Sequence, residues 1–269
     1  MNDVLIFTDL DGTLMEHETY SIKPAEEMLR ELADRGLVPI FNSSKTRVEI
    51  ERIQTKFELC APFVCENGAA FFEHDSDSKT SCAKEFGPRR SAWLPDVQLI
   101  RHQLKVNFEC FDDWSPTQVA QHTGLNEDEA ALAKLREYSE PILWRDTSSQ
   151  LIQFKDALSK INLHLVEGGR FQSIQGNFDK RSPIDWLRSE RKYEHTTIVA
   201  LGDSPNDAPM LEASHIAAIV KSAKSDKINP VNPNFTIRST LPGPAGWAES
   251  MAKALEILDS KNTRTKEGN

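Results

Sequence analysis

The sequence predicts an α/β fold with a doubly wound, mostly parallel sheet and a smaller α+β unit inserted into it. Short apolar runs in the first 70 residues each end in a polar loop that leads into a helix or a turn, as in βαβ units. Near residue 75 the chain becomes polar and Ser-rich, and two more buried strands follow only after residue 196. We therefore expect a core that is interrupted by a separate unit.

The first strand, residues 4–7, is an apolar run that soon reaches Asp9 and Asp11, and Gly12 then permits a sharp turn. Two carboxylates this close repel each other unless a proton or a cation lies between them. A divalent cation with oxygen ligands, above all Mg²⁺, meets this need at the sheet edge where ligands bind. A plain Asp-Gly surface turn is the alternative. An EF-hand loop is excluded, because other residues occupy its Gly and bidentate Glu positions.

The first half of the core continues with alternating helices and strands. Apolar residues recur at helical spacing before Gly36, which ends the first helix. The second strand ends in a polar cluster, and the third ends in Glu66, Asn67 and Gly68. The predicted elements are a helix over 24–35, a strand over 37–41, a helix over 48–57 and a strand over 62–65.

Residues 75–84 and 87–88 are typical of a linker. The α+β unit beyond them closes with a hairpin whose turn is Gly168 and Gly169. We predict that 86–176 form an inserted cap domain, and that 1–85 and 177–269 form the core. The predicted cap elements are helices over 95–105, 127–139 and 149–162 and strands over 106–111, 141–145, 163–166 and 170–174.

The core then resumes with a helix after Lys180. A buried strand over 197–201 follows and ends in a second acidic segment, residues 202–207. Another strand is predicted over 216–220, and the polar tail past Leu258 is expected to be frayed.

The composition limits the possible partners and cellular settings. Hydrophobic residues make up 39% and charged residues 27%, as in soluble globular proteins. The net charge of −9 argues against binding to nucleic acid or to an anionic membrane. A buried strand close to Met1 leaves no room for a signal peptide, and no apolar run spans a bilayer, so we expect a cytoplasmic protein. The four cysteines lack zinc-site spacing.

The second acidic segment completes a possible metal site. Across one sheet edge from Asp9 and Asp11, Asp203 would be the direct ligand, with Asp207 and Asn206 as orienting groups. A surface turn rich in turn-forming residues is the alternative reading of this segment.

A metal beside a carboxylate suits phosphoryl transfer, which also needs groups that hold phosphate oxygens. Ser43 and Ser44 can donate hydrogen bonds at a helix N-terminus, and Lys180 can place a positive charge on the phosphate. The alternatives are helix capping by the serines and a solvated surface lysine.

Four segments, taken in order, resemble the motifs of the haloacid dehalogenase superfamily. They are residues 9–13, Ser43 with Ser44, Lys180, and residues 202–207. The resemblance implies a Rossmann-like core in which Asp9 attacks phosphorus, forming an aspartyl phosphate, while Asp11 serves as acid and base. It implies Mg²⁺ held by Asp9, the backbone carbonyl of Asp11, and Asp203, beside Asp207. One departure is Arg181, where the family usually has Gly.

The place of the insertion, after residues 66–69, resembles the sugar-phosphatase branch with a type IIB cap. Residues 43–47, 66–69, 168–171 and 243–247 are similar to the mannosyl-3-phosphoglycerate phosphatase family. This likeness implies a small phosphorylated sugar derivative as the substrate, hydrolysed to mannosylglycerate and phosphate. The expected substrate-binding residues are Ser44 for the phosphate, Lys45, Arg47 and Arg170 for the carboxylate, and Glu66 and Asn67 for sugar hydroxyls.

Three alternatives stay open from the sequence. The enzyme could hydrolyse another sugar phosphate, including glucosyl-3-phosphoglycerate, or it could be a phosphohexomutase. A non-catalytic sugar-phosphate sensor is the third, although a sensor has no need of an acid/base at Asp11. Trp247 is expected to pack in the core rather than to stack on a sugar.

Overall fold

The computed structural model describes residues 4–17, 19–74, 79–167, 171–190 and 195–267. The strands of its larger sheet are β1 (Val4–Thr8), β2 (Pro39–Asn42), β3 (Phe63–Cys65), β4 (Ala70–His74), β5 (Thr80–Glu85), β10 (Thr197–Gly202), β11 (Ile216–Lys221) and β12 (Phe235–Pro242). Their order in the sheet is β12-β11-β10-β1-β2-β3-β4-β5. The strands from β12 to β3 are parallel, and β4 and β5 are antiparallel to their neighbours.

The central strands of this sheet are buried on both faces, and successive residues of each strand point to opposite faces. Ile6 and Phe41 belong to one apolar cluster, and their neighbours Phe7 and Ile40 belong to another. The helices of the core are α1 (Glu26–Asp34), α2 (Arg47–Lys56), α7 (Ser182–Glu190), α8 (Ala208–Glu212) and α9 (Gly243–Glu267). Within the described ranges, no helix has both the length and the apolar character that crossing a membrane requires.

The elements between β5 and α7 are α3 (Arg90–Leu104), β6 (Phe108–Cys110), α4 (Pro116–Thr123), α5 (Glu127–Ala133), β7 (Ser139–Trp144), α6 (Ser148–Ser159), β8 (His164–Glu167) and β9 (Gln172–Gln175). The strands form a smaller antiparallel sheet in the order β6-β7-β9-β8. Trp93 and Val97 of α3 and Phe154 and Leu158 of α6 belong to one apolar cluster with Phe108 of this sheet. The predicted fold class, a parallel α/β core with an inserted α+β cap, is confirmed.

The segment predicted as a linker is different in the structure. Thr80–Glu85 is strand β5, which pairs with β4 and extends the core sheet, while residues 75–78 lie outside the described ranges. An edge strand with solvent on its faces needs few apolar residues, and most of β5 is exposed. For that reason the strand gave no apolar signal in the sequence.

Several other boundaries also needed correction. The predicted helix over 127–139 ends at Ala133, and α4 precedes it as a separate helix. Capping boxes begin both helices, at Ser115 and at Asn126, and the left-handed Gly124 ends α4. Strand β12 was not predicted, α3 begins before Pro95, and α9 continues to Glu267 where a frayed tail was expected. The predicted turn at 168–169 lies outside the described residues.

Candidate active site

The carboxyl ends of β1 and β10 lie side by side, and each is followed by an aspartate. The strands are parallel, with Thr8 in register with Leu201. The amide of Asp9 donates to the Leu201 carbonyl at 2.9 Å, which continues this ladder. As a result, carboxylate oxygens of Asp9, Asp203 and Asp207 all lie within 4.8 Å of one another. The two acidic segments meet at one sheet edge, as their positions after neighbouring strands predicted.

Lys180 is the cation in this cluster, and its side chain is completely buried. Its Nζ lies 2.6 Å from Oδ1 of Asp9 and 2.6 Å from Oδ1 of Asp207. Burial lowers the pKa of a lysine, but these two carboxylates outweigh that effect and raise the pKa of Lys180. The alternative of a solvated surface lysine is therefore wrong.

Two contacts position the backbone that carries Lys180. The side-chain amide of Asn42, at the end of β2, donates to the Lys180 carbonyl at 2.8 Å. Gly68 has a φ of +101°, and a Cβ there would lie 1.8 Å from the Asp179 carbonyl oxygen. Only glycine permits this approach, so the turn after β3 fixes the segment before α7.

Three buried carboxylates lie close together near this single lysine, and the excess negative charge appears in the pKa values of Asp9 and Asp203. Burial raises the pKa of Asp9 well above its usual range, and Asp207 and Asp203 add to that effect although Lys180 opposes it. Burial and Asp207 together raise the pKa of Asp203 to about 6. A bound cation would relieve this repulsion, and oxygen-only donors suit Mg²⁺ or Ca²⁺. The residues present therefore fit a divalent metal site.

The three aspartates differ in how their oxygens are occupied. Asp207 uses Oδ1 for Lys180, and its Oδ2 accepts from the amides of Asp203 and Ser204 at 2.9 and 3.0 Å. Among the residues that the structure describes, the hydroxyl of Thr13 is the one donor to the Asp203 carboxylate, at 3.2 Å. This occupancy leaves Asp203 more available to a metal than Asp207, which is placed to orient Lys180 and the 203–204 backbone.

The turn after β1 requires glycine at position 12. Gly12 has a φ of +80°, and a Cβ there would lie 2.6 Å from Nε2 of His17 and 2.9 Å from Oδ2 of Asp203. Below the turn, the Trp247 indole donates to the Thr8 hydroxyl, which donates to the Asp9 carbonyl at 2.8 Å. Trp247 is fully buried, so the prediction that it packs in the core is confirmed.

The chain from residue 6 to residue 231 matches the family model of haloacid dehalogenase-like hydrolases. That match covers far more than half of the sequence. The chain belongs to the haloacid dehalogenase-like hydrolase family. The superfamily resemblance drawn from the four motifs is thereby confirmed.

Solved structures of haloacid dehalogenase-like hydrolases have the same fold. One from Bacteroides thetaiotaomicron has a TM-score of 0.64 at 16% identity, covering 95% of this chain and 99% of its own. One from B. subtilis has a TM-score of 0.62 at 16% identity, covering 91% and 97%. The sucrose-phosphatase of Synechocystis, solved with sucrose and phosphate, has a TM-score of 0.59 at 13% identity, covering 94% and 98%.

The serines of this haloacid dehalogenase-like hydrolase do not cap helix α2. Thr46 does so, since its hydroxyl accepts from the Glu49 amide at 3.3 Å and Glu49 Oε2 accepts from the Thr46 amide at 2.8 Å. Ser43 is buried, and its carbonyl accepts from the Asn67 amide at 2.8 Å. The capping alternative for Ser43 and Ser44 is therefore wrong, and their role at a phosphate stays a prediction.

The left-handed turn after β3 links the two sheets. Glu66 is fully buried, and its carboxylate accepts from the amides of Glu137, Tyr138 and Ser139 at 2.7 to 3.1 Å. Asn67 accepts from the Asn206 side chain at 3.2 Å, beside the second acidic segment. The predicted contact of Glu66 with a sugar is untested, but in this structure its carboxylate is engaged by the chain itself.

Arg47 and Arg181 pair with acids outside the carboxylate cluster. Arg47 pairs with Glu51 at 2.9 Å and with Glu137 at 3.1 Å, and neither partner belongs to the cluster. Arg181, the departure from the motif, pairs with Asp185 on the exposed side of α7 at 2.8 Å. Arg170 lies outside the described residues.

Sequence reasoning missed Arg136, which joins both sheets at the site. Its guanidinium donates to the Ser44 carbonyl at 2.7 Å and to the Ser139 hydroxyl at 3.0 Å. It also lies 3.6 Å from the Glu66 carboxylate. Arg136 stands in a stretch that was predicted as helix, and no local pattern marked it.

Proposed function

We propose that this protein is a Mg²⁺-dependent phosphatase for a small phosphorylated sugar derivative, with mannosyl-3-phosphoglycerate as the preferred substrate. The observation that carries the proposal is the meeting of Asp9, Lys180 and Asp203 at the end of β1. A nucleophile, a fixed cation and a metal ligand stand there within reach of one phosphoryl group.

In the first step, a carboxylate oxygen of Asp9 attacks phosphorus and the bond from phosphorus to the leaving oxygen breaks. Asp11 gives its proton to that oxygen, which departs as an alcohol. Lys180 holds Oδ1 of Asp9 at 2.6 Å and so fixes the nucleophile for attack. Asp9 and Asp203 would hold Mg²⁺ together with the Asp11 carbonyl. When bound, the metal supplies positive charge at the phosphoryl oxygens.

In the second step, Asp11 takes a proton from water, which attacks the phosphorus atom held on Asp9. The acyl phosphate bond breaks, inorganic phosphate leaves, and both aspartates return to their starting states. Ser43 and Ser44 would bind phosphate oxygens. Residues 86–176 would form the cap that closes over the site and excludes other water.

The substrate assignment rests on the resemblance of residues 43–47, 66–69, 168–171 and 243–247 to mannosyl-3-phosphoglycerate phosphatases. A substrate with a carboxylate suits Arg47 and Arg170. To bind it, Arg47 must give up its ion pair with Glu51 or Glu137. Asn67 and Glu66 are the predicted partners of the sugar hydroxyls. To bind a hydroxyl, Glu66 would have to give up a hydrogen bond from the backbone amides of residues 137–139. Another sugar phosphate, including glucosyl-3-phosphoglycerate, is the second candidate.

The test is a phosphate-release screen over sugar phosphates and both glycosyl phosphoglycerates, with and without Mg²⁺. We expect metal-dependent release, fastest from mannosyl-3-phosphoglycerate, and none from Asp9→Asn. Preference for a different ester would change the substrate but keep the chemistry. Return of radiolabelled phosphate to a hexose would indicate a mutase. Ligand-induced stabilisation without any release would indicate a sensor.

A further inference from the structure

Lys45 forms a partly buried ion pair with Asp11, which is separate from the ion pairs of Lys180. Its Nζ lies 3.1 Å from Oδ2 of Asp11, and the two side chains are 10% and 24% exposed. In the part of the chain that the structure describes, no other cation pairs with Asp11. The pair joins two segments that are distant in sequence, the turn after β1 and the start of α2.

Several contacts hold Lys45 in this place. Its amide donates to the Ser43 hydroxyl at 3.3 Å, and its carbonyl accepts from the Glu66 amide at 2.9 Å. Its Nζ lies 5.0 Å from the centre of the Tyr20 ring and 4.0 Å from Oε1 of Glu49. A lysine fixed by its backbone, a ring and a second carboxylate loses little freedom when it pairs with Asp11.

We propose that Lys45 is a positioning residue that fixes the Asp11 carboxylate for proton transfer. Holding Oδ2 leaves Oδ1 as the oxygen that carries the proton to the leaving oxygen and takes it back from water. The inference rests on the proposed function, in which Asp11 is the acid and base. It differs from the sequence prediction, which has Lys45 bind the carboxylate of the substrate.

The two roles differ in their dependence on the leaving group. If Lys45 binds the substrate, its removal should slow the reaction of all esters that make the same contacts by the same factor. A lysine that orients the acid matters most when the leaving oxygen is basic, because a stable anion departs without a proton. Phenyl, 4-chlorophenyl and 4-nitrophenyl phosphate form a matched series, since they share a ring and a phosphate and differ in leaving-group basicity.

The experiment measures release of the phenol in a single turnover, with Mg²⁺, for wild type and Lys45→Met. We expect the rate with phenyl phosphate to fall about 100-fold and the rate with 4-nitrophenyl phosphate to stay within about tenfold. Lys45→Arg keeps a cation and should recover part of the phenyl phosphate rate. Lys56→Met removes an exposed lysine at the last residue of α2 and should leave all three rates unchanged.

Equal losses across the series, or no loss, would overturn this inference while leaving the phosphatase proposal in place. Failure of wild type to release phosphate from any of the three esters would overturn the phosphatase chemistry, and this inference with it. If Lys45→Met does not fold, the same comparison is made with Lys45→Arg and Lys45→Gln. A flat dependence on leaving group in both would reject the role.

Discussion

Glu66 and Asp9 are both buried carboxylates beside strands of the core sheet, but their surroundings differ. Three backbone amides and the Ser139 hydroxyl donate to Glu66, and Arg136 stands 3.6 Å away. Asp9 instead shares a single lysine with Asp207, and Asp203 lies close by. The first carboxylate has a full set of donors from its own chain, whereas the second belongs to a cluster with excess negative charge.

We propose that this difference distinguishes a structural contact at Glu66 from a reactive site at Asp9. A carboxylate whose lone pairs are all satisfied holds two parts of the chain together. A cluster of carboxylates that exceeds its cations stores repulsion, which a metal ion or a proton relieves. The number of donors available to each buried acid therefore indicates function better than burial does.

The largest expected effect comes from Asp9→Asn. We expect phosphate release to fall about 10⁴-fold or more, because the variant lacks the nucleophile. The fold should persist, since asparagine has the same shape and removes a repelling charge. Phosphate release and thermal unfolding are the measurements, with Asp34→Asn on the exposed side of α1 as the control. Normal turnover by Asp9→Asn would remove Asp9 from the mechanism.

Removal of the metal should have the next largest effect. We expect EDTA to abolish phosphate release and Mg²⁺ to restore it. Mg²⁺ at 100 times its dissociation constant should also raise the free energy of unfolding by about 2.7 kcal/mol. Asp203→Asn should weaken this stabilisation, whereas Glu66→Gln should retain it. Full activity in EDTA would contradict the assignment of the carboxylate cluster as a metal site.

Glu66→Gln tests the other side of the comparison. The glutamine side chain has an NH2 group in place of one acceptor oxygen of Glu66. That group would face the backbone N–H donors of residues 137–139, so at least one of these donors would lose its acceptor. We expect the free energy of unfolding to fall by about 1–3 kcal/mol in urea titrations. Glu27→Gln, an exposed change on α1, is the matched control. A variant as stable as wild type would show that Glu66 does not hold the two sheets together.

Asp203→Asn should have the opposite and smallest effect in metal-free protein. The pKa of Asp203 is raised to about 6 in the folded chain. A raised acid pKa costs stability above that pH and ceases to do so as pH falls, because the folded state then takes up the proton. We therefore expect the variant to be more stable than wild type by about 1–2 kcal/mol at pH 8 in EDTA. The difference in the free energy of unfolding should shrink below pH 6. Equal stability of the variant and wild type at pH 8 would show that the Asp203 carboxylate is not repelled by its neighbours.

Much of the carboxylate cluster at the sheet edge was predictable because its signals are local. An apolar run that ends in acids marks a buried strand whose end meets solvent, and parallel pairing places neighbouring ends together. That rule predicted that Asp9 and Asp203 lie close together. Strand β5 was not predicted, because an edge strand exposed on its faces has no apolar pattern to detect.

The sequence by itself determined the α/β class and the acidic strand ends, since each depends on residue type and short-range spacing. Only the tertiary structure decided which acid receives which donor. Glu66 meets backbone amides 71 to 73 residues further along the chain, and Lys45 meets Asp11 across β1 and β2. Such pairings arise when distant segments pack against each other, and a linear pattern contains no record of them.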